Sequence, residues 1–220
     1  MELFGTSQTQ SELTFPVSLT ERYRPVELEQ FVGLPKPKAI CAKLAERPFD
    51  SGWLFLGPSG TGKTSMGIAL ASLIPAELHH MPSQSCTLAE LERVIATCHR
   101  VPTYGKRFHL VLIDEADGMS DAAQKRLLSC LDGSAPCPTT IWVFTANAKD
   151  HLEDRFLSRV KTVEFSKQGI ASDAAKLLER VWLENAPSTA KVPNFARIVK
   201  DANNNIREAL QSLELELMLA

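Results

Sequence analysis

Apolar positions along the chain switch between two periods. Trp53–Leu56 is a short apolar run that ends in a glycine-rich loop, and the stretch from Lys63 to Ile74 reads as a helix. Thr87 and Glu90 form the ends of a capping box, with Leu88, Leu91, Val94 and Ile95 on one face of the helix behind it. His109–Ile113 is a second apolar run and Thr140–Phe144 a third; Thr162–Phe165 reads as an edge strand, and Ser120–Leu131 as a helix. Strands that alternate with helices predict βαβ units and a mostly parallel sheet. Strands that are apolar throughout predict helices on both faces of that sheet.

From about Ser166 the pattern becomes helical only. Ser172 is positioned to cap a helix running to Asn185, Pro193 to start another, and Asn203–Leu219 to make a third. The expected organisation is a polar tail over residues 1–18, an α/β nucleotide-binding domain over 19–165 and a small all-helical lid domain over 166–220. No internal repeat interrupts this order.

Composition changes the picture little. Of 220 residues 44% are hydrophobic and 23% charged, the balance of a globular protein. No 18-residue apolar run predicts a membrane span, and the N-terminal residues lack the basic flank and apolar core of a secretory signal. A formal net charge of -2 excludes a surface basic all over, though not one basic face. Five cysteines without a Cys-x-x-Cys pair predict free thiols in a reducing compartment, cytoplasmic or associated with the nucleoid or nucleus. His79, His80, Cys86, Cys98 and His99 are zinc-ligand types. Paired short spacings are missing and Cys98 falls within a helical pattern, so they read as ordinary buried or solvated side chains.

Three motifs carry chemistry. Gly57-Pro58-Ser59-Gly60-Thr61-Gly62-Lys63-Thr64, followed by Ser65, fits the phosphate-binding pattern G-x-x-x-x-G-K-[ST], and it follows a strand and opens a helix. Glycines let backbone N–H groups fold around phosphate oxygens, and the helix N-terminus faces the same anions. Lys63 is then the contact for the β- and γ-phosphates of ATP, and Thr64 a Mg²⁺ ligand. Leu110–Ile113 leads into Asp114 and Glu115, the first for Mg²⁺, the second to orient and deprotonate the attacking water. Asn147, just past the third run, stands where a side-chain amide reaches the γ-phosphate or that water.

Together these segments resemble Walker A, Walker B and sensor 1 of AAA+ ATPases. Leu19-Thr-Glu-Arg-Tyr23-Arg24-Pro25, with Leu28 and Phe31-Val32-Gly33, is similar to the N-terminal segment of replication factor C small subunits, which lies by the adenine base. Asp114–Ser120, with Ala123, Gln124 and Leu127, follows the clamp-loader pattern. Ser158-Arg159-Val160 resembles the family's Ser-Arg-Cys motif, with valine for cysteine, and implies that Arg159 acts on a neighbouring subunit's ATP. Arg155 is its rival for that role, or a partner of Glu153 or Asp154. Asn204–Leu210 resembles sensor 2, which implies that Arg207 reaches the γ-phosphate of its own site.

The resemblance covers about residues 19–215. It implies a P-loop NTPase fold of the AAA+ type and ATP hydrolysis with Mg²⁺. It also implies a ring with other AAA+ subunits, DNA as a partner, and a sliding clamp as client, with no membrane. An AAA+ remodeller or helicase or mobile-element loader, and a nucleotide-binding structural subunit, are the alternatives. Two departures stand out. No collar domain fits after the lid, and Leu128 and Ser129 stand where the family has an arginine pair, with Lys125 and Arg126 ahead of Leu127 instead.

Overall fold

The computed structural model describes residues 17–82, 86–132 and 137–220. The expected tail falls almost wholly outside these residues. After the short helix α1 (Leu19–Arg22) come α2 (Pro35–Glu46), β1 (Ser51–Leu56), α3 (Lys63–Leu73), β2 (Ala76–Pro82) and α4 (Leu88–Cys98). They are followed by β3 (Phe108–Asp114), α5 (Asp121–Leu131), β4 (Thr140–Ala146), α6 (Asp154–Leu157) and β5 (Lys161–Glu164). Three helices close the chain: α7 (Ala171–Asn185), α8 (Phe195–Asp201) and α9 (Ile206–Met218).

The sheet has five strands in the order β2-β3-β4-β1-β5, and every pairing is parallel. The pleat divides each apolar strand between two cores. Leu54, Val111, Ile113, Trp142 and Phe144 face α4, α5 and α6. Phe55, Leu110, Leu112, Ile141 and Val143 face α2 and α3. This division is the physical reason the strands read as unbroken apolar runs: neither face meets water. β5 lies at one edge, as expected. β2, at the other, has no counterpart in the apolar pattern, because Glu77 and His79 are only partly buried and Leu78 and His80 are exposed.

A third core holds α7, α8 and α9 together through Leu178, Val181, Trp182, Val199 and Leu213. Leu19 belongs to this core rather than to the sheet. Its backbone N–H donates to Glu214 (2.9 Å), and Arg22 donates to Asn185 (2.8 Å), so the N-terminal segment is fastened to the helical unit.

Helix starts correct the expected caps in detail. Thr87 accepts from the Glu90 N–H (3.2 Å), as anticipated, and Ser120, expected within the helix, instead caps it by accepting from the Ala123 N–H (3.3 Å). The Glu90 carboxylate turns to Arg93 instead of closing the box. Ser172 does not cap α7; Ile170 holds the cap position without a side-chain bond, because its packing against Gly33 sets where the helix begins. Pro193 does not start α8; Asn194 caps it, accepting from the Arg197 N–H (3.0 Å). Asn203 and Asn204 take left-handed backbone conformations (φ 49° and 57°), which asparagine tolerates better than most residues. The third helix therefore starts after Asn205.

Candidate active site

The chain leaves β1 toward one side of the sheet and returns on the other as β5. A crevice opens at the C-terminal ends of the strands where the order reverses, the usual ligand position in open α/β sheets. The ends of β1, β3 and β4 and the start of α9 meet there. Ser59, Gly60, Gly62, Lys63, Thr64, Asp114, Glu115, Asn147 and Arg207 line one cavity. Residues separated by 148 positions, Ser59 to Arg207, are thereby brought to one place.

Lys63 is 8% exposed. Its ammonium donates to the carbonyls of Gly57 (2.6 Å) and Pro58 (2.9 Å) and to the Asn147 amide oxygen (3.1 Å). Burial pushes its pKa down to about 8; Asp114 and Asp117 oppose that shift, and Arg207 adds to it. The Thr64 hydroxyl donates to Asp114 Oδ1 at 2.7 Å. Hydroxyl and carboxylate oxygens are the hard donor set that Mg²⁺ prefers, so these two residues fit that ion.

Thr145 completes the arrangement and was not singled out by the motifs. Its hydroxyl donates to Asp114 Oδ1 (2.5 Å) and accepts from the Glu115 N–H (3.0 Å). A polar residue in the otherwise apolar end of β4 was the signal for it. The Asn147 N–H donates to Asp117 Oδ2 (3.1 Å), which ties the loop after β4 to the loop after β3. Among the described residues, the Arg207 side chain makes no hydrogen bond or ion pair. A buried lysine and an unpaired arginine thus face one cavity beside a helix N-terminus, an arrangement that favours a polyanion.

A second cavity of about 290 Å³ continues from the phosphate loop between the N-terminal segment and the helical unit. Tyr23, Arg24, Pro25 and Val32 line it with Gly60, Thr61, Gly62 and Ser65, and Arg207 borders both cavities. Arg24 donates to Ser65 Oγ (3.1 Å), and Tyr23 donates to Glu184 (2.6 Å). Phe31 and Leu210, from the matched segments, and Ile170 and Leu177, which the motifs did not indicate, supply apolar walls. Gly33 is set apart. It borders the adjoining hollow, not this one, and a Cβ there would lie 2.5 Å from the Ile170 side chain at φ 63°. Its role in the structure is close packing.

Arg159 lies elsewhere. It precedes β5, and its carbonyl is 3.6 Å from where a Cβ on Gly52 would stand, at the N-terminal end of β1. The phosphate loop is at the other end of that strand, roughly 17 Å away at about 3.3 Å per residue. Arg159 Nε donates to Asp132 Oδ1 (2.6 Å) and its guanidinium also donates to the Arg155 carbonyl (2.7 Å). Arg155 forms no ion pair with Glu153 or Asp154 among the described residues. Arg126 is engaged with Glu92 (3.0 Å) on α4, and Lys125 lies 4.0 Å from Glu153.

A parallel sheet with a lysine-bearing glycine loop, an acidic pair at the end of β3, across β4 from that loop, and a helical cover defines a P-loop nucleotide-binding protein. The family described as "ATPase family associated with various cellular activities (AAA)" matches residues 53–168, and the chain belongs to it. It is similar to the replication factor C small subunit of Halobacterium salinarum, at 24% identity over 88% of this chain and 61% of that protein. Replication factor C small subunit 1 of Pyrobaculum aerophilum is 29% identical over 66% of this chain and 46% of its own length. The chain thus spans 46% to 61% of these relatives. A solved structure titled Thermotoga maritima RuvB Holliday junction branch migration motor shares the fold, with a TM-score of 0.70 at 19% identity over 87% of this chain and 64% of that one. Among the described residues no helix is long and apolar enough to cross a membrane.

Proposed function

We propose that the chain is an ATP-hydrolysing subunit of a clamp-loader-like ring that works on DNA. The observation that carries this reading is the split between the two sets of arginine and acid. Lys63, Thr64, Asp114, Glu115, Asn147 and Arg207 share one cavity, whereas Arg159 stands at the far end of the sheet and cannot reach it. An arginine so placed serves a site on an adjacent subunit.

In this reading the adenine and ribose occupy the cavity bordered by Tyr23, Arg24, Pro25 and Val32. The phosphates lie along the loop, with the backbone N–H groups of Gly60–Ser65 around them. Lys63 gives up its carbonyl partners for phosphate oxygens, and Thr64 and Asp114 hold Mg²⁺, which when bound neutralises charge on the phosphates. Glu115 takes a proton from the attacking water as its oxygen bonds to the γ-phosphorus and the bond to the ADP oxygen breaks. Asn147 positions that water, and Arg207 offsets the charge on the γ-phosphate. Positioning and charge neutralisation supply most of the rate in such reactions. The 24–29% identity to replication factor C small subunits supports DNA and a sliding clamp as the setting.

The test is ATPase rate with primed DNA, with and without a sliding clamp. A further increase on adding clamp is expected. A response to DNA alone would replace the reading with an AAA+ remodeller, and tight nucleotide binding without turnover would replace it with a structural subunit.

A further inference from the structure

The ATPase chemistry leaves one buried polar cluster unused. His79 on β2, Cys98 at the end of α4 and His109 at the start of β3 bring one ligand atom each to within 4.8 Å of one another. Cys98 is fully buried and His109 is 1% exposed. They stand on the α4-covered face of the sheet. His109 precedes Asp114 by five positions on β3, so the cluster is roughly 16 Å from the Walker acids.

We propose that His79, Cys98 and His109 form a structural site for a borderline-soft divalent cation, Zn²⁺. The proposal does not depend on the ATPase reading. Three observations carry it. The first is orientation. His109 Nε2 is 3.0 Å from the Arg100 carbonyl, which can only accept, so the proton sits on Nε2 and the Nδ1 lone pair faces His79 Nε2, 3.0 Å away. A ligating histidine is held in this way, its outer nitrogen donating to a backbone carbonyl. The second is spacing. Zn–N bonds of about 2.0–2.1 Å and Zn–S bonds of about 2.3 Å at tetrahedral angles place nitrogens about 3.3 Å apart and nitrogen and sulfur about 3.6 Å apart. The histidines need to part by a few tenths of an ångström. The third is the donor set: two imidazoles and a thiol suit Zn²⁺ and not Mg²⁺. Glu77, whose Oε2 is 3.8 Å from His109 Nδ1, or a water supplies the fourth ligand.

Binding moves the His79 proton from Nε2 to Nδ1 and releases the Cys98 thiol proton to solvent. The ion then cross-links the edge strand β2, most of whose side chains are half-buried or exposed, to β3 and α4. The ligands come from three elements 19 and 11 residues apart in sequence, which is why short-range spacing does not reveal them.

The experiment uses the full chain with a non-thiol reductant and excess Mg²⁺ to fill the hard-oxygen site. Zinc content is measured as isolated, and Co²⁺ titration then reads the thiolate-to-cobalt charge-transfer band. One equivalent of metal and a clear band are expected. Cys98→Ser should abolish the band, and Cys41→Ser, on the opposite sheet face, should keep it. His79→Gln, at a half-buried position, should keep the fold by circular dichroism and lower Zn²⁺ affinity by more than the roughly 10–100-fold seen on losing an outer-shell partner. If Cys98→Ser fails to fold, the His79→Gln affinity decides alone. A folded wild-type chain without the band, a band that survives Cys98→Ser, or unchanged affinity in His79→Gln would each overturn the assignment in favour of a metal-free hydrogen-bonded histidine pair.

Discussion

Asn205 presses directly on Gly60: a Cβ added to this glycine would fall 1.7 Å from the Asn205 side-chain oxygen. The same oxygen caps α9, accepting from the N–H groups of Arg207 (3.1 Å) and Glu208 (3.4 Å). One side chain therefore sets both the start of the helix that carries Arg207 and the contact of the helical unit with the phosphate loop. Asn205→Ala should lose a cap worth about 1 kcal/mol, lowering the melting temperature and weakening ATP binding about fivefold. Asn205→Asp keeps the cap and adds a negative charge beside the phosphates, so it should melt near wild type yet bind ATP less well. Gly60→Ala, at φ 75°, should bind ATP worst of the three. Thermal melts set beside nucleotide titrations separate the two roles; wild-type affinity in Asn205→Asp would remove the second.

Lys63 should be required for nucleotide, because nothing else in the loop places a cation against the β- and γ-phosphates. Lys63→Ala should fold and fail to bind ATP. Burial also makes this lysine a pH-dependent element. Its folded pKa is pushed down to about 8 from 10.5, so below pH 8 both states carry the proton and the folded state bears the full cost of a buried charge. Between pH 8 and 10.5 the unfolded state binds more protons, and stability rises with pH. The nucleotide-free wild type should therefore gain on Lys63→Met across that window, by on the order of 3 kcal/mol if the whole shift is expressed. Bound phosphates favour the charged lysine, so ATP binding should take up a proton above pH 8 and weaken as pH rises. Chemical denaturation of both proteins at pH 7 and pH 10 checks the first expectation. Parallel stability curves would show that Lys63 does not titrate there.

Glu115 is expected to act as the base. Glu115→Gln keeps the volume and the backbone bond to Thr145 and loses the proton acceptor. ATP binding should persist while turnover falls by roughly 10²–10⁴-fold, the usual worth of general base catalysis. The measurement is single-turnover hydrolysis with the oligomeric state held equal. Normal turnover in Glu115→Gln would move the base to another residue, with Asp117, hydrogen-bonded to the Asn147 N–H, the next to examine.

What the sequence made legible follows from where the free energy is local. The runs at Trp53–Leu56, His109–Ile113 and Thr140–Phe144 are strands because both their faces are buried, and four consecutive apolar residues in each announce that. β2 stayed hidden because an edge strand with Glu77 and His79 only partly buried and His80 exposed has no such run. α2 carries two prolines in its first turn and a broken apolar stripe, and it too went unread. The glycine loop and the acidic pair were readable since their chemistry needs fixed spacing along one segment. The importance of Thr145 and Asn205 is not legible in the sequence, because it lies in contacts across 30 and 145 positions, with Glu115 and Gly60 respectively.

In the proposed ring, Arg159 is the residue whose role depends most on a neighbour. Its side chain is 30% exposed, and its ion pair with Asp132 sits at a surface far from the chain's own phosphate loop. Such a pair, partly solvated, contributes little stability and can be exchanged for a phosphate. Arg159→Ala should leave ATP binding to the isolated subunit intact and lower turnover in the assembly, where arginine fingers in GTPases are worth roughly 10³–10⁵-fold. Mixing gives the decisive measurement. In a mixed ring an Arg159→Ala subunit still binds ATP and can receive the finger of an adjacent Lys63→Ala subunit, so two inactive proteins should regain part of the activity. With subunit exchange verified, complementation by Arg155→Ala but not by Arg159→Ala would transfer the role to Arg155. Failure of both would mean that like subunits do not share the site and that a different chain supplies the finger. Asp132→Ala sharpens the result. If Asp132 merely holds the finger in the isolated subunit, its loss should preserve complementation, and if it aims the finger, Asp132→Ala should lower turnover in the mixed ring without changing ATP affinity.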